Sequence, residues 1–260
     1  MAMWRSIIAV ALLFVANSAR STDLGDLWWN PDENGWGLNV VHQENILFLT
    51  FFIYGTDGKP YWLSGSSVQY QGTSASGALV YTGSLAETNG PWFASASFTS
   101  PPVSNRIVGT VTFAAQGVNA ATLTYNVGNN TVVKQLERLT FKANPNINGR
   151  YFGGVVSDVT ACAAPAGNGH VEGQALVSIS GTGTTQVTIE RATGTCTLTG
   201  PYGQEGRMGH VQGSTSCTTG ANGGVDVFEM EANVSGVTAR FVAHYNNGCT
   251  ETGHFAGVRR

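Results

Sequence analysis

Short runs of alternating apolar and polar residues recur along most of the chain and are separated by turns rich in glycine, asparagine and aspartate. Alternation with a period of two is typical of β-strands, whereas an amphipathic helix would show a sustained period of 3.6 residues, which no segment has. The pattern predicts an all-β protein with little helix. Beyond the first hairpins, strands are predicted at 66–71, 77–83, 106–114, 120–127, 131–141, 149–157, 172–180, 185–191, 194–200, 208–217, 225–234, 237–245 and 252–258.

The first hairpin is predicted from the dipeptide Glu44-Asn45, which as a two-residue turn places Val41 opposite Phe48 and Val40 opposite Leu49. The strand that follows this turn is apolar on both of its faces. One face carries Phe48, Phe52 and Tyr54, and the other carries Leu47, Leu49, Phe51 and Ile53. Two apolar faces indicate a central strand that is covered on both sides.

The second hairpin is predicted from Asp57-Gly58, one of the strongest turn dipeptides. Read as a two-residue turn, it places Tyr54 opposite Tyr61 and Ile53 opposite Trp62.

In the second half of the chain, Ser235-Gly236 predicts a hairpin with Glu231 opposite Arg240 and Val227 opposite His244. The pairing indicates one polar face with Glu229, Glu231, Arg240 and His244, and one apolar face with Phe228, Met230, Phe241, Ala243 and Tyr245. One solvent-exposed face and one buried face are typical of the strands of a small antiparallel barrel or sandwich.

A domain boundary is predicted in the turn-rich stretch from Asn144 to Gly149, which follows a strand that ends near Phe141. Aromatic residues are dense before this stretch and sparse after it, and every cysteine lies after it. We therefore expect two consecutive antiparallel β-domains, each a β-barrel or closed sandwich: an aromatic-rich domain at 22–145 and a disulfide-containing barrel at 146–260.

The first residues have the pattern of a secretory signal peptide. Arg5 supplies a positive charge, an apolar run extends from Ile7 to Ala16, and small or polar residues follow up to Ala19. The apolar run is too short for a bilayer span, which needs roughly 20 residues, and no other stretch could span a membrane as a helix. Residues 1–21 are predicted to be removed, so that a secreted or periplasmic chain begins near Thr22.

The amino-acid composition limits the kinds of partner that the protein could bind. Charged residues make up only 11% of the chain and the formal net charge is −3, which offers no electrostatic attraction for nucleic acid or an anionic membrane. Disorder is excluded by a hydrophobic content of 42%. No cofactor is expected, because the glycine-rich segments lead into no helix that could cradle a phosphate.

Four cysteines in an exported chain indicate two disulfide bonds. Cys196 and Cys217 are placed symmetrically about a turn at 204–207, which predicts that they pair and leaves Cys162 for Cys249. The first and last strands of a closed barrel are neighbours, which is compatible with that second bond. Zinc is the competing interpretation, but no C-x-x-C or H-x-x-x-H spacing supports it.

The most distinctive segment reads W-W-N-P-D-E-N-G-W-G, from Trp28 to Gly37. Together with D-G-K-P-Y-W at 57–62 and Y-T-G-S-L at 81–85, it resembles a family of uncharacterised exported bacterial proteins. That family has a W-W-x-P-x-E-x-G-W-G opening, a D-G-x-P-x-W hairpin and a Y-T-G-x-L segment. The resemblance covers about residues 26–93 and implies export and a β-fold, but no activity.

The same segments supply the candidate ligand-binding residues Trp28, Glu33, Trp36, Tyr61 and Trp62. Aromatic faces with a few placed polar groups are the usual composition of a binding site, and here they would stack on sugar rings. The alternative is structural: a tryptophan seals the barrel core and Glu33 caps backbone N–H groups in the turn.

Catalytic patterns are weak. The chain has no G-x-S-x-G elbow. Asp32 or Glu33 could pair with Glu87 as the two carboxylates of a glycoside hydrolase, and Glu229 and Glu231 have the same chemistry. Four histidines lie in the second half without a diagnostic metal-binding spacing, at positions 170, 210, 244 and 254.

Three classes of function therefore remain open. The leading expectation is a non-catalytic binding protein for a glycan or for a small apolar ligand in a barrel mouth. The alternatives are a secreted hydrolase acting on polysaccharide or ester substrates, and a cell-surface structural or interaction protein.

Overall fold

The computed structural model describes residues 22–96, 102–143, 145–164 and 167–260; the predicted signal peptide lies outside these residues. The strands are β1 (Asp26–Trp29), β2 (Gly37–Gln43), β3 (Ile46–Tyr54), β4 (Pro60–Thr73), β5 (Leu79–Asn89), β6 (Ser104–Ala115), β7 (Ala120–Val127), β8 (Asn130–Arg138), β9 (Gly149–Thr160), β10 (Gly169–Thr182), β11 (Thr184–Arg191), β12 (Gly194–Glu205), β13 (Met208–Cys217), β14 (Asn222–Ala232), β15 (Gly236–Tyr245) and β16 (Thr250–Arg259).

The strands form two closed antiparallel barrels, one after the other in the chain. In each barrel every strand pairs with its neighbour in sequence. The first strand also pairs with the last, β1 with β8 and β9 with β16. The predicted fold class is confirmed. The segment between Arg138 and Gly149 joins the barrels and includes the boundary predicted from the sequence.

Both barrel interiors are filled by side chains. Alternate positions of each strand point inward, and eight strands enclose a space that side chains can fill. The first core is built from large residues, among them Trp28, Leu49, Phe51, Leu63 and Phe113, all fully buried. The second core uses smaller ones, mostly valine, isoleucine and alanine, around Tyr151, Phe241 and Phe255.

The first barrel is closed at one end by a buried aromatic–arginine pair. Trp28 of β1 donates its indole N–H to the carbonyl oxygen of Leu24 at 3.0 Å. The guanidinium of Arg138, at the end of β8, lies 4.9 Å from the centre of the Trp28 ring, a cation–π contact that desolvation strengthens. The first and last strands are thereby fastened to the segment that precedes β1.

The second barrel repeats this arrangement with different residues. Tyr151 of β9 donates its hydroxyl to the carbonyl oxygen of Ile147, four residues earlier, at 2.6 Å. Arg259 of β16 lies 5.3 Å above the Tyr151 ring and donates to the carbonyl oxygen of Asn146. Both barrels are thus closed by an arginine of the last strand that covers an aromatic ring of the first strand, and that ring donates to a backbone carbonyl four residues earlier.

The barrels touch through the β12–β13 turn. The backbone N–H of Arg207 donates to the carboxylate of Asp26 at 2.9 Å, and its side chain donates to the carbonyl oxygen of Gly25 at 2.8 Å. Gly206 lies so close that an added Cβ would approach the Cβ of Arg138 to 2.7 Å. A second contact joins the hydroxyl of Thr22 to the carboxylate of Glu229 in β14 at 2.7 Å. Both contacts are polar, which leaves open the prediction that each barrel folds independently.

The first predicted hairpin register is confirmed, and the second is wrong by one residue. Val41 lies opposite Phe48, but Tyr54 lies opposite Pro60 rather than Tyr61, and Ile53 opposite Tyr61 rather than Trp62. The connection has five residues, 55–59. Gly58 has a φ of 73°, so a longer loop with a left-handed glycine replaces the two-residue turn.

The predicted register of β14 with β15 is also wrong. Arg240 lies opposite Phe228 and Glu231 opposite Thr238. Next to the turn, Ala232 lies opposite Val237, so the pairing is already displaced there by two residues, and a β-bulge at Glu229, whose φ is 51°, displaces it by one more. The extra residue turns Phe228 outward, beneath the guanidinium of Arg240. Glu229 pairs with Arg240 at 3.4 Å, whereas Glu231 pairs with Arg207.

Both predicted disulfide bonds form, Cys196–Cys217 between β12 and β13, and Cys162–Cys249 between the segments that follow β9 and precede β16. Two disulfides indicate an oxidising environment. No helix in the described ranges is long and apolar enough to cross a membrane.

Candidate functional site

The residues predicted to bind a ligand do not form one site. Trp28 lies inside the first core with none of its surface exposed, in edge-to-face contact with Phe113 at 5.3 Å. Its indole N–H is satisfied by Leu24 and its ring is covered by Arg138. Trp28 therefore packs the barrel, as the structural alternative anticipated.

Glu33 and Trp36 do meet, in the loop between β1 and β2, and Lys134 of β8 joins them. The carboxylate of Glu33 accepts the indole N–H of Trp36 at 2.9 Å and the ammonium of Lys134 at 2.6 Å. The ammonium also lies 5.6 Å from the centre of the Trp36 ring. The hydrogen bond from Lys134, and then that from Trp36, hold the pKa of Glu33 below its ordinary value.

This cluster fastens the β1–β2 loop to the barrel. The half-buried Trp36 ring packs against the first core, and the hydroxyl of Tyr54 donates to the carbonyl oxygen of Gly35 at 2.7 Å. Gly35 has a φ of 104°, a conformation that favours glycine. The polar groups of Glu33 and Trp36 are thus committed to each other and to Lys134.

Tyr61 and Trp62 point to opposite sides of β4, as strand alternation requires. Tyr61 is half-buried against the first core. Burial, and then the nearby carboxylate of Glu87, raise its pKa above the ordinary value. Trp62 points outward and is 51% exposed. Of the five predicted residues, Trp62 presents the most open ring.

The outer surface around Trp62 carries a group of aromatic side chains, which we call the aromatic face: Phe48, Phe52, Tyr54 and Trp62. Their exposures are 43%, 54%, 57% and 51%. Phe52 lies directly opposite Trp62 across β3 and β4, and Tyr54 follows Phe52 by one strand repeat, about 7 Å. The rings therefore share one side of the sheet.

The aromatic face contradicts the prediction that β3 is covered on both sides. Leu47, Leu49 and Phe51 are fully buried on the inner side, whereas nothing in the described residues covers the outer side. The sequence carried the signal, a strand apolar on both faces. An exposed face and a buried one produce the same periodicity, so the pattern alone could not separate them.

Two of the candidate catalytic carboxylates, Glu33 and Glu87, each form an ion pair. Glu87 pairs with Arg106, and Glu33 pairs with Lys134. In the part of the chain that the structure describes, no group of three or more His, Cys, Asp or Glu side chains could hold a metal ion. His170 lies at the surface between Asp158 and Glu172, where its hydrogen bond with Asp158, the main cause, raises its pKa.

Comparison of the chain with protein-family models, with curated proteins and with solved structures yields no match. The class that the fold defines is a tandem of eight-stranded antiparallel barrels, and the aromatic face places four exposed rings on the outer surface of the first barrel.

Replacement of Trp36 by alanine tests how much the anchoring of the β1–β2 loop contributes to stability. Because Trp36 is half-buried, we expect a folded variant with about 1–3 kcal/mol less stability, below the cost for a fully buried tryptophan. Far-UV circular dichroism and thermal unfolding measure this. A variant that does not fold would instead make Trp36 indispensable to the core.

Proposed function

We propose that the chain is an exported, non-catalytic binding protein whose ligand is a glycan, and that the aromatic face of the first barrel binds it. The observation that carries the proposal is the group of exposed rings at Phe52, Tyr54 and Trp62. Monomeric soluble proteins rarely leave large apolar groups side by side in water without a binding role. The predicted signal peptide and the two disulfides agree with export.

The chemistry of the face suits sugars. Flat rings stack on the apolar faces of pyranose rings, and the Tyr54 hydroxyl stands beside the Gly35 backbone, where donors and acceptors can meet sugar hydroxyls. Thr50 and Ser64, cross-strand partners next to the rings, add hydroxyl groups. Several polar atoms thus surround a set of aromatic surfaces.

The filled interiors argue against the alternative ligand, a small apolar molecule inside a barrel. At the open end of the first barrel, half-buried side chains including Trp36, Ile53, Tyr61 and Val132 pack down onto the core. An apolar ligand would have to displace them, and such a change disrupts packing at native density. A ligand on the outer surface requires no rearrangement.

The proposal is tested with Trp62→Ala and a matched control, Trp92→Ala. Trp92 is also exposed, at 67%, but lies in the β5–β6 connection outside the aromatic face. A glycan array and affinity electrophoresis in soluble polysaccharides identify the ligand, and titration calorimetry measures its dissociation constant. Trp62→Ala should weaken binding about 10-fold or more, as truncation of a central aromatic anchor does, while Trp92→Ala should bind like the wild type.

Equal binding by wild type and Trp62→Ala would contradict the site, and absence of any glycan ligand would contradict the proposal. A second candidate, an interaction surface for another protein, is favoured by one observation. Past Phe48 the face continues into Val41 and Ile46, 45% and 42% exposed, whose side chains have no hydrogen-bonding groups. Concentration-dependent association that Trp62→Ala abolishes, without glycan binding, would support that candidate.

A further inference from the structure

One end of the second barrel has a polar interior, in contrast to the apolar body of that barrel. Glu251 of β16 points inward and is 4% exposed, and Ser157 of β9 is 2% exposed. One carboxylate oxygen of Glu251 accepts hydrogen bonds from the Ser157 hydroxyl at 2.6 Å and from Arg191 Nη1 at 3.1 Å. The other accepts the Tyr245 hydroxyl at 2.6 Å.

Both carboxylate oxygens of Glu251 accept hydrogen bonds in these contacts. Burial disfavours its charged form, yet the hydrogen bonds from Ser157 and Tyr245 and the neighbouring Arg191 outweigh burial, so its pKa lies below the ordinary value. Burial, followed by the hydrogen bond to Glu251, raises the pKa of Tyr245. Glu251 is therefore an ionised carboxylate that accepts hydrogen bonds from the neutral phenol of Tyr245 and the guanidinium of Arg191.

Arg191 has guanidinium N–H groups that make no hydrogen bond within the part of the chain that the structure describes. Only its Nη1 has an acceptor among the described residues. Its Nε is buried without any hydrogen-bond partner, although the side chain as a whole keeps 13% of its surface exposed. A buried donor without a partner is rare in native proteins and calls for an explanation.

A pocket of about 210 Å³ lies directly beside this guanidinium, room for roughly seven water molecules at liquid density. Its lining includes Thr193, Thr219 and Asn247, the Cys196–Cys217 disulfide and Cys249, together with Tyr245 and Glu251. The Cys196–Cys217 bond ties β12 to β13 at the pocket. Pockets at barrel mouths are among the usual places for small ligands.

We propose that this pocket binds a small molecule through its carboxylate group, with Arg191 as the recognition residue. The Nε–H and Nη2–H bonds of a guanidinium point the same way, in a fork that matches the two oxygens of a carboxylate. Because Nη1 is engaged by Glu251, the guanidinium is held in orientation, while Nε and Nη2 have no acceptor among the described residues. The rim threonines and Asn247 supply hydrogen bonds for polar substituents. This site is independent of the aromatic face.

Titration calorimetry on the full mature chain tests the proposal with glucuronate, benzoate and acetate. Glucose and benzamide, which lack the carboxylate, are the neutral counterparts. The carboxylates should bind and the neutral compounds should not. Preference for glucuronate would identify an acidic sugar as the source of the carboxylate, and preference for benzoate would identify a free aromatic acid.

Two variants assign the binding to Arg191. Arg191→Lys keeps the charge opposite Glu251 but removes the fork, so carboxylate binding should weaken about 10-fold or more. Arg150→Lys changes an exposed arginine of β9 outside this pocket and should bind like the wild type. Glu251→Gln leaves the Arg191 charge uncompensated and should strengthen carboxylate binding, an effect that a purely structural role for the pair would not produce.

Failure of every carboxylate to bind the wild-type chain would overturn the proposal. So would equal binding by Arg191→Lys, with thermal unfolding showing that the variant is folded. Neither result would affect the glycan proposal, because the Trp62 variants report on a different barrel.

Discussion

Reduction of both disulfide bonds is expected to unfold the second barrel and to leave the first barrel folded. The bonds Cys162–Cys249 and Cys196–Cys217 close loops with sequence separations of 87 and 21 residues. In the chain-entropy model such loops stabilise the folded state by about 5 and 3 kcal/mol. Their sum is comparable to the whole stability of an ordinary domain, about 5–15 kcal/mol.

The distribution of tryptophans allows each barrel to be followed separately. Every tryptophan within the described ranges lies in the first barrel or its loops, at positions 28, 29, 36, 62 and 92. Tryptophan fluorescence therefore reports on the first barrel, whereas far-UV circular dichroism and limited proteolysis report on both. After reduction we expect an unchanged fluorescence transition and the loss of one component of the dichroism transition.

The contact at Arg207 is one that could couple the barrels. If reduction lowers the fluorescence transition temperature as well, the two barrels unfold as one unit, contrary to the prediction. In that case Arg207→Ala, which removes the side-chain bonds to Asp23, Gly25 and Glu231, should weaken the coupling, while the backbone bond to Asp26 and the Thr22–Glu229 bond remain. Paired Cys→Ser variants show which disulfide is responsible.

Arg138→Met is expected to destabilise the first barrel by about 3–5 kcal/mol, the usual cost of removing one partner from a buried ion pair. Arg138 is 2% exposed. It donates to the carboxylate of Asp26 at 3.1 Å and to the backbone carbonyls of Asp23 and Val118 at 2.6 and 2.5 Å. Methionine keeps the apolar contact with Trp28 but leaves these acceptors without that donor.

Urea unfolding followed by tryptophan fluorescence measures this effect. Arg106→Met is the matched control, because Arg106 pairs with Glu87 while its side chain is 73% exposed. Exposed pairs contribute about 0–1 kcal/mol. Arg138→Lys should lie between the two, since it keeps the charge but not the planar group. A loss below about 1 kcal/mol for Arg138→Met would show that the closing pair is dispensable.

The sequence predicted the elements better than their exact pairing. The Glu44-Asn45 register was correct because a two-residue turn leaves one alignment for its strands. The Asp57-Gly58 register failed because the same dipeptide also suits a longer loop that contains a left-handed glycine. The β14–β15 register failed because the turn is longer than the predicted Ser235-Gly236 pair and because a bulge at Glu229 has no signature in the sequence. Each error moved partners by one or more positions, although every predicted strand overlaps an observed one.

The candidate site was predicted only in part. Strand alternation showed that Tyr61 and Trp62 must point opposite ways, but not which of them points outward. Trp28 and Trp36 belong to one motif and have the same side chain, yet Trp28 is fully buried and Trp36 is half-buried. Arg191 had no local signal, because its partner Glu251 is distant in the chain.

By itself, the sequence determined the all-β class, the two consecutive domains and both disulfide pairings. These follow from short-range information: a period of two, turn residues, and cysteines placed symmetrically about a turn. Only the tertiary structure decided which apolar face of β3 meets water, that Arg138 covers Trp28, and that Arg191 meets Glu251 beside a pocket. Closing a sheet into a barrel selects an inside and joins strands far apart in the chain, and no local pattern encodes that choice.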